Sequence, residues 1–374
     1  MYRQLLVRSA GLPPDLREGS NDLAIYRNAG EATLRGEIPY RDFFIEYPPG
    51  SLPTFVPPAL LTGDKMGYIS VFSSEMALAL VAALLLTALA ARSIGVTWIL
   101  PAATFTAAAI MLYPVAVTRY DAVVALSLAT AVFCATLGGR YLSLAYASLG
   151  LGAAAKLVPA LATLPLATFR RGAARGYAVF LGVLALFFVP ALLLAGSGFL
   201  VSFAYHANRG VQVESLAASI LMKLGRVNEV VFQYGAFEVR GRGVELASSL
   251  SLPVTGALLL VTAFFTYRRG RIGVQAFPRH AAALILAFML GSKVLSPQYV
   301  IWLLPLVPLG GIGVSAVFLA ACWTTTQVFP IHYGDLVNLR APAPDLLLVR
   351  NLLLVLLWGL LLFLPGGAPK KEAS

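Results

Sequence analysis

Apolar runs of about 15 to 22 residues recur through the chain, close to the ~20 residues needed to cross a bilayer core. They predict helices near 68–91, 97–117, 121–138, 141–155, 157–169, 176–196, 253–268, 278–292, 297–310, 312–328 and 346–365. Backbone polar groups in lipid must be satisfied within the segment, which makes helix the expected form of such runs. The pair 141–155 and 157–169 is short. It reads either as two half-length helices meeting near Lys156 and Pro159, or as one broken helix.

Basic residues in the short connections orient the bundle. With residues 1–67 outside and the spans alternating, the inside loops carry Arg92, Arg140, Arg170, Arg171, Arg175, Arg268, Arg269, Arg271 and Arg279, and the tail carries Lys370 and Lys371. The expected organisation is an extracytoplasmic first loop at 1–67 with an acidic motif and a bundle of about eleven helices at 68–365. Outer loops fall at 197–252 and 329–345, and a cytoplasmic tail at 366–374. The acidic, aromatic and proline-rich residues gather on the outer side, where function is to be sought.

Composition agrees. The chain has 374 residues, 59% hydrophobic and 12% charged, with mean hydropathy +0.80, whereas soluble domains carry roughly 25% charged residues. The net charge of +11 belongs to the orienting loops rather than to nucleic-acid binding. Cys134 and Cys322 sit in apolar runs without a C-x-x-C or a histidine ligand pattern, so a thiolate metal site has no support. Residues 1–20 lack the apolar core of a cleavable signal.

Four constellations carry candidate chemistry. Asp22, in Asn21-Asp22-Leu23-Ala24-Ile25-Tyr26, is either a helix N-cap or a general base. A carboxylate near apolar walls holds its proton more tightly, which suits abstraction from a hydroxyl. The loop GEIPYRDFFIEYPPG at 36–50 sets Tyr40, Asp42 and Glu46 among prolines that stop helices, and Arg41 there pairs with Asp42 or Glu46. Arg119 with Asp121, Lys156, and Lys293 lie at predicted helix ends, where ionisable groups are costly and therefore functional candidates. Lys156, interrupting a long apolar stretch, either holds a phosphate or snorkels to the interface. The outer segment from Tyr205 to Ser215, with His206, Arg209 and Glu214, is rich in groups that bind sugar or phosphate. No H-E-x-x-H, Walker loop or G-x-S-x-G is present, so zincin, ATPase and α/β-hydrolase chemistries lack support.

These residues together resemble bacterial family-87 glycosyltransferases. The similarity runs through Asp22-Leu23-x-x-Tyr26, Gly36-x-x-Pro39-Tyr40-x-Asp42-Phe43 and Glu46-Tyr47-Pro48-Pro49. It continues through Arg119-Tyr120-Asp121, Lys156-Leu157-Val158-Pro159, His206 to Ser215, and Ser292 to Tyr299 with Gln298, Trp302 and Pro305. The family is related to polyprenyl-phosphate-mannose-dependent α-mannosyltransferases. The resemblance implies an all-α polytopic membrane protein of C-type glycosyltransferase fold in a bacterial cell membrane. Its active face would be extracytoplasmic.

The resemblance further implies transfer of a hexose, mannose foremost, from a polyprenyl-phosphate donor to a glycolipid or glycan acceptor. The anomeric configuration would invert, with no cofactor or metal. Asp22 matches the acidic residue that activates the acceptor hydroxyl. Lys156, Arg209 and Lys293 become the cations that offset charge on the leaving phosphate, and Tyr26, Tyr40, Asp42 and Glu46 supporting residues of the pocket. Family members carry a transmembrane helix before the first outer loop, whereas this sequence starts at the loop. The rival readings are a transporter or flippase of lipid-linked sugars and a non-catalytic relative.

Overall fold

The computed structural model describes residues 22–169, 172–268 and 273–363. The expectations for 1–21, for Arg170, Arg171, Arg269 and Arg271, and for the tail at 366–374 lie outside the described residues. In chain order the helices are α1 (Asp22–Leu34), α2 (Leu52–Leu61), α3 (Lys65–Ser93), α4 (Ile99–Met111), α5 (Asp121–Leu137), α6 (Tyr141–Ala155), α7 (Thr163–Phe169), α8 (Ala173–Ala195), α9 (Ser197–Asn208) and α10 (Leu216–Lys223). A hairpin, β1 (Val227–Gln233) and β2 (Ala236–Gly241), precedes α11 (Val244–Arg268), α12 (Phe277–Gly291), α13 (Ile312–Thr326), α14 (Tyr333–Val337) and α15 (Ala343–Phe363). Among the described residues six helical stretches are long and apolar enough to cross a membrane: α3, α8, α11, Val274–Gly291, Ile312–Ile331 and α15.

Small side chains let the helices approach closely, as packing in an apolar solvent requires. α5 packs on α3 and α6, and α6 on α8. Ala122, Ala125, Ala129 and Ala135 of α5 are fully buried, as are Ala145, Ala153 and Ala154 of α6. A Cβ on Gly152 would fall 2.1 Å from Ser127 Oγ, and Ser148 Oγ donates across the same seam to Ser127 O at 2.8 Å. α12 is buried along nearly its whole length.

Three sequence expectations change. The helix expected at 253–268 begins at Val244. The run 297–310 forms two short 3₁₀ helices, Pro297–Leu303 and Val307–Gly310, instead of one α-helix. Pro297, Pro305 and Pro308 lack the donors that an α-helical ladder needs, and the segment is walled in by protein, where irregular backbone is tolerated at depth. Arg279 lies inside α12 rather than in a loop, and its guanidinium donates to the Leu360 and Leu361 carbonyls. The chain breaks at Lys156, giving α6, a 3₁₀ stretch at Val158–Ala162 and α7.

Alternation of the helices puts Arg92, Arg140, Arg175 and Arg268 at one end of the bundle, with Gln275 Nε2 bonded to Ile94 O there at 3.0 Å. The opposite end holds α1, the loop to α2, and a second hydrophobic core. Val211 and Val213, Leu221 of α10, Phe237 and Val239 of β2, Leu336 of α14 and Leu347 of α15 build that core. The hairpin turns through Tyr234 (φ 49) and Gly235 (φ 68), a two-residue turn with both centres left-handed, whose twist matches that of paired strands. Segment 211–213 extends it, with Val213 N donating to Phe237 O and Val239 N to Val211 O.

α1 is seated by an aromatic stack and a glycine. Tyr26 lies flat on Phe55 of α2, centroids 4.4 Å apart and planes 7° apart. A Cβ on Gly30 would come 2.3 Å from Phe55 O. Gly30→Leu is therefore expected to separate α1 from α2 and destabilise the protein by about 1–3 kcal/mol or more, read as a lower thermal unfolding midpoint in detergent, with Gly313→Leu, where nothing lies within 4 Å, as the control.

Candidate functional site

Three consecutive residues organise the cavity end of the bundle. Arg119, Tyr120 and Asp121 lead into α5 and serve three different partners. Arg119 Nε lies 2.6 Å from Asp22 Oδ2. Arg119 Nε also lacks a partner of good hydrogen-bond geometry, so the contact is a charge pair rather than an aligned hydrogen bond. Asp121 is fully buried. Its Oδ1 accepts from Lys156 Nζ at 2.8 Å and from Trp302 Nε1 at 2.6 Å. The Lys156 ammonium sits among the rings of Tyr120, Tyr299 and Trp302, 5.0 to 5.1 Å from each centroid. Ring faces attract a cation, and more strongly when it is desolvated.

This cage exists because the chain breaks where it does. Lys156 ends α6 with an extended backbone (φ −159, ψ 119), and Pro159 follows within the 3₁₀ turn. Its amide still donates to Gly152 O at 2.8 Å. The break frees the side chain to carry its ammonium to Asp121, in the first turn of α5.

The cage opens into a cavity of about 540 Å³. Asp22, Glu46, Arg119, Lys156, His206, Arg209, Glu214 and Gln298 all line it, brought together from six segments of the chain. Burial pushes the Glu46 carboxyl above its usual range, and the Asp22 charge adds to that while Arg209 opposes it. Glu46 Oε2 and Arg209 Nε are buried without hydrogen-bond partners. His206 Nε2 lies 2.8 Å from Glu46 O. A carbonyl only accepts, so this nitrogen carries the proton. Burial pulls the His206 pKa down, which leaves the ring neutral at neutral pH.

The remaining sequence candidates stand outside the cavity lining. Tyr26 is buried beneath it, on Phe55. Tyr40, at φ 67, donates its hydroxyl to Tyr47 O at 2.6 Å. Asp42 accepts from Arg41 Nε at 2.9 Å and from Ile38 N at 2.8 Å. Of the two partners open to Arg41, the fold uses Asp42, and both serve the turn. Asp121 lies behind Lys156. Lys293 Nζ donates to Ala207 O at 2.8 Å, and its own carbonyl accepts from Gln212 N. Lys293 thus ties the 292–298 loop to the outer segment instead of facing the cavity.

Arg350 was not among the sequence candidates. It lies fully buried within α15, with Nη2 3.0 Å from Glu214 O and 3.2 Å from Glu214 Oε2. Neighbouring Asn351 donates to Ser219 Oγ and the carbonyls of Glu214 and Ser215. Net of the Arg350 charge, burial dominates at Glu214 and raises its carboxyl to about 7. A lone arginine inside an apolar span was the available signal. Tyr299 and Trp302 were also missed as cage residues. Trp302 lies five residues after Pro297 in a run that reads as an ordinary apolar helix, which hides its indole N–H.

The family model for glycosyltransferase family 87 matches residues 44–297. No curated protein matches the chain. Among solved structures it is similar to ArnT from Cupriavidus metallidurans in the apo state, with TM-score 0.49 and 13% identity, over 96% of this chain and 75% of that one.

Trp302→Phe keeps the ring stack on Tyr299 but deletes a donor to the buried Asp121. A hydrogen bond to a charged group is worth about 1.5–3 kcal/mol, so the thermal midpoint should fall by that equivalent. Glu214 gives a pH prediction. Its folded pKa of about 7 lies above the ordinary glutamate value of 4.5, so the unfolded state ionises first and folded stability declines as pH rises from 4.5 towards 7. Melting curves across pH 4.5–8 should show that decline in the wild type and a flatter profile in Glu214→Gln.

Proposed function

The chain belongs to glycosyltransferase family 87, and from that premise we propose that it transfers a hexose, mannose foremost, from a polyprenyl-phosphate donor to a glycolipid or polysaccharide acceptor. The transfer inverts the anomeric centre, uses no metal, and takes place on the extracytoplasmic face of a bacterial membrane. The observation that carries the reading is one cavity shared by a carboxylate, Asp22, and an aromatic-caged ammonium, Lys156.

In this reading the acceptor hydroxyl attacks the anomeric carbon as Asp22 takes its proton. Arg119 holds the carboxylate in position. The sugar–oxygen bond to phosphate breaks, and polyprenyl phosphate departs with the electron pair and one more negative charge. Lys156 and Arg209 face the cavity and offset that charge where it develops. Asp121 and the three rings hold the Lys156 ammonium in place before substrate arrives, so little reorganisation is needed during reaction. The orientation is supported by Arg92, Arg140, Arg175 and Arg268 at the end away from the cavity, since cytoplasmic loops carry the excess of basic residues.

Asp22→Asn keeps the shape and removes the proton acceptor. With labelled polyprenyl-phosphate mannose and extracted membrane lipids, the variant should lose transfer by about 10²–10⁴-fold while inserting into the membrane like the wild type. Full activity in Asp22→Asn would remove Asp22 as the base.

A further inference from the structure

Next to the cavity, on the hairpin side and outside its lining, three aromatic side chains from three separate segments meet. Phe44 of the first loop is 55% exposed. Its ring centroid lies 5.2 Å from that of Tyr205, near the end of α9. Tyr205 in turn lies 5.4 Å from Tyr234 at the hairpin turn, planes 75° apart. Neither Phe44 nor Tyr205 nor Tyr234 belongs to the ring set around Lys156. A lone exposed phenylalanine is ordinary, but a cluster assembled from a loop, a helix end and a strained turn has to be built. The left-handed backbone that the hairpin turn requires at Tyr234 places its ring there. Gly235 beside it lines the cavity, and a Cβ there would come 3.3 Å from the Tyr205 hydroxyl and 4.0 Å from Glu46 Oε1.

Glu46 completes the arrangement. It follows Phe44 by two residues and lines the cavity, and its buried Oε2 has no hydrogen-bond partner. A buried acceptor without a donor is costly unless a ligand supplies one. A pyranose ring offers what this corner lacks: a face of C–H groups that lies on aromatic rings, and hydroxyls around its edge that donate to a carboxylate. Lipid tails would satisfy the rings and leave Glu46 Oε2 without a donor.

We propose that Phe44, Tyr205 and Tyr234 form a stacking platform for a sugar ring of the acceptor glycan, with Glu46 receiving one of its hydroxyls. This inference rests on the glycosyl-transfer reading. It sets the phosphate side in the cavity at Lys156 and the acceptor side at the cavity's edge, where Glu46 and Gly235 border the rings. The rings then select for a saccharide acceptor, and the lipid portion of the donor is left to the membrane-facing side.

The test uses the full chain in nanodiscs with octyl α-D-mannoside as the acceptor probe. Saturation-transfer NMR reads ring and tail protons separately, and labelled polyprenyl-phosphate mannose reads donor KM. In the wild type the ring protons should saturate more strongly than the octyl methyl. Phe44→Ala and Tyr234→Ala should each weaken mannoside binding about fivefold, the equivalent of one aromatic contact, with donor KM unchanged. Tyr234→Phe should retain binding, because the ring face is what matters. Unchanged ring saturation in the alanine variants overturns the platform. So does an equal rise in donor KM, which would mark a general disturbance of the fold, or an equal loss of binding by a sugar-free octyl ether, which would mark a lipid contact. Transfer by the wild type without ring saturation overturns the platform and leaves the proposed function standing. Ring saturation without any transfer overturns the acceptor role and the proposed function together.

Discussion

A carboxylate cut off from water has to be neutralised by groups the fold brings to it, and Asp121 is such a carboxylate. It has 0% exposure. An isolated charge in so poor a solvent is strongly disfavoured, so the structure must deliver both Lys156, from 35 residues along the chain, and Trp302, from 181. Delivering Lys156 requires α6 to end where it does. Delivering Trp302 requires the chain after α12 to turn back as a 3₁₀ segment beside α5. The break in one element and the irregularity of another, both set up locally by prolines, are what let the two groups reach one buried charge.

The same tripeptide links this buried pair to the cavity surface. Arg119 meets Asp22 across the cavity wall, Tyr120 carries the Lys156 ammonium on its face, and Asp121 anchors that ammonium from behind. Tyr120 also packs edge-on against Tyr26, Tyr47 and Phe55. Movement of α1 is thereby coupled to the ammonium cage through rings as well as charges. A second buried charge, Arg350 against Glu214, fixes the outer segment to α15 in the same way. Both pairs convert the expense of burying ions into a defined position for loops that would otherwise wander.

Much of the plan is legible from residue order. The apolar runs locate α3, α8, α12, α13 and α15 to within a few residues, and the end but not the start of α11, because lipid leaves a backbone almost no alternative to a helix. The one large exception, 297–310, is surrounded by protein, so that constraint does not act on it. The hairpin is not read from the sequence: Val227–Gln233 and Ala236–Gly241 flank a Tyr-Gly turn, a weaker signal than Asn-Gly or Asp-Gly. Of the candidate residues, Asp22, Glu46, Lys156 and Arg209 do converge on one cavity. Asp42 and Lys293 look equally chemical in sequence, yet one closes a turn and the other ties two loops.

By itself, then, the sequence determined a polytopic helical bundle, the break at Lys156 and the end of the bundle where polar chemistry collects, since each follows from local physics: length against a bilayer, proline against a helix, charge against lipid. Only the tertiary structure decided which charges are partners. Asp121 belongs to Lys156 and Trp302, Asp22 to Arg119, and Glu214 to an arginine in a distant span. Those pairings depend on which helix ends lie within ~4 Å of each other, the reach over which charges govern one another's state, and no stretch of chain encodes that distance locally.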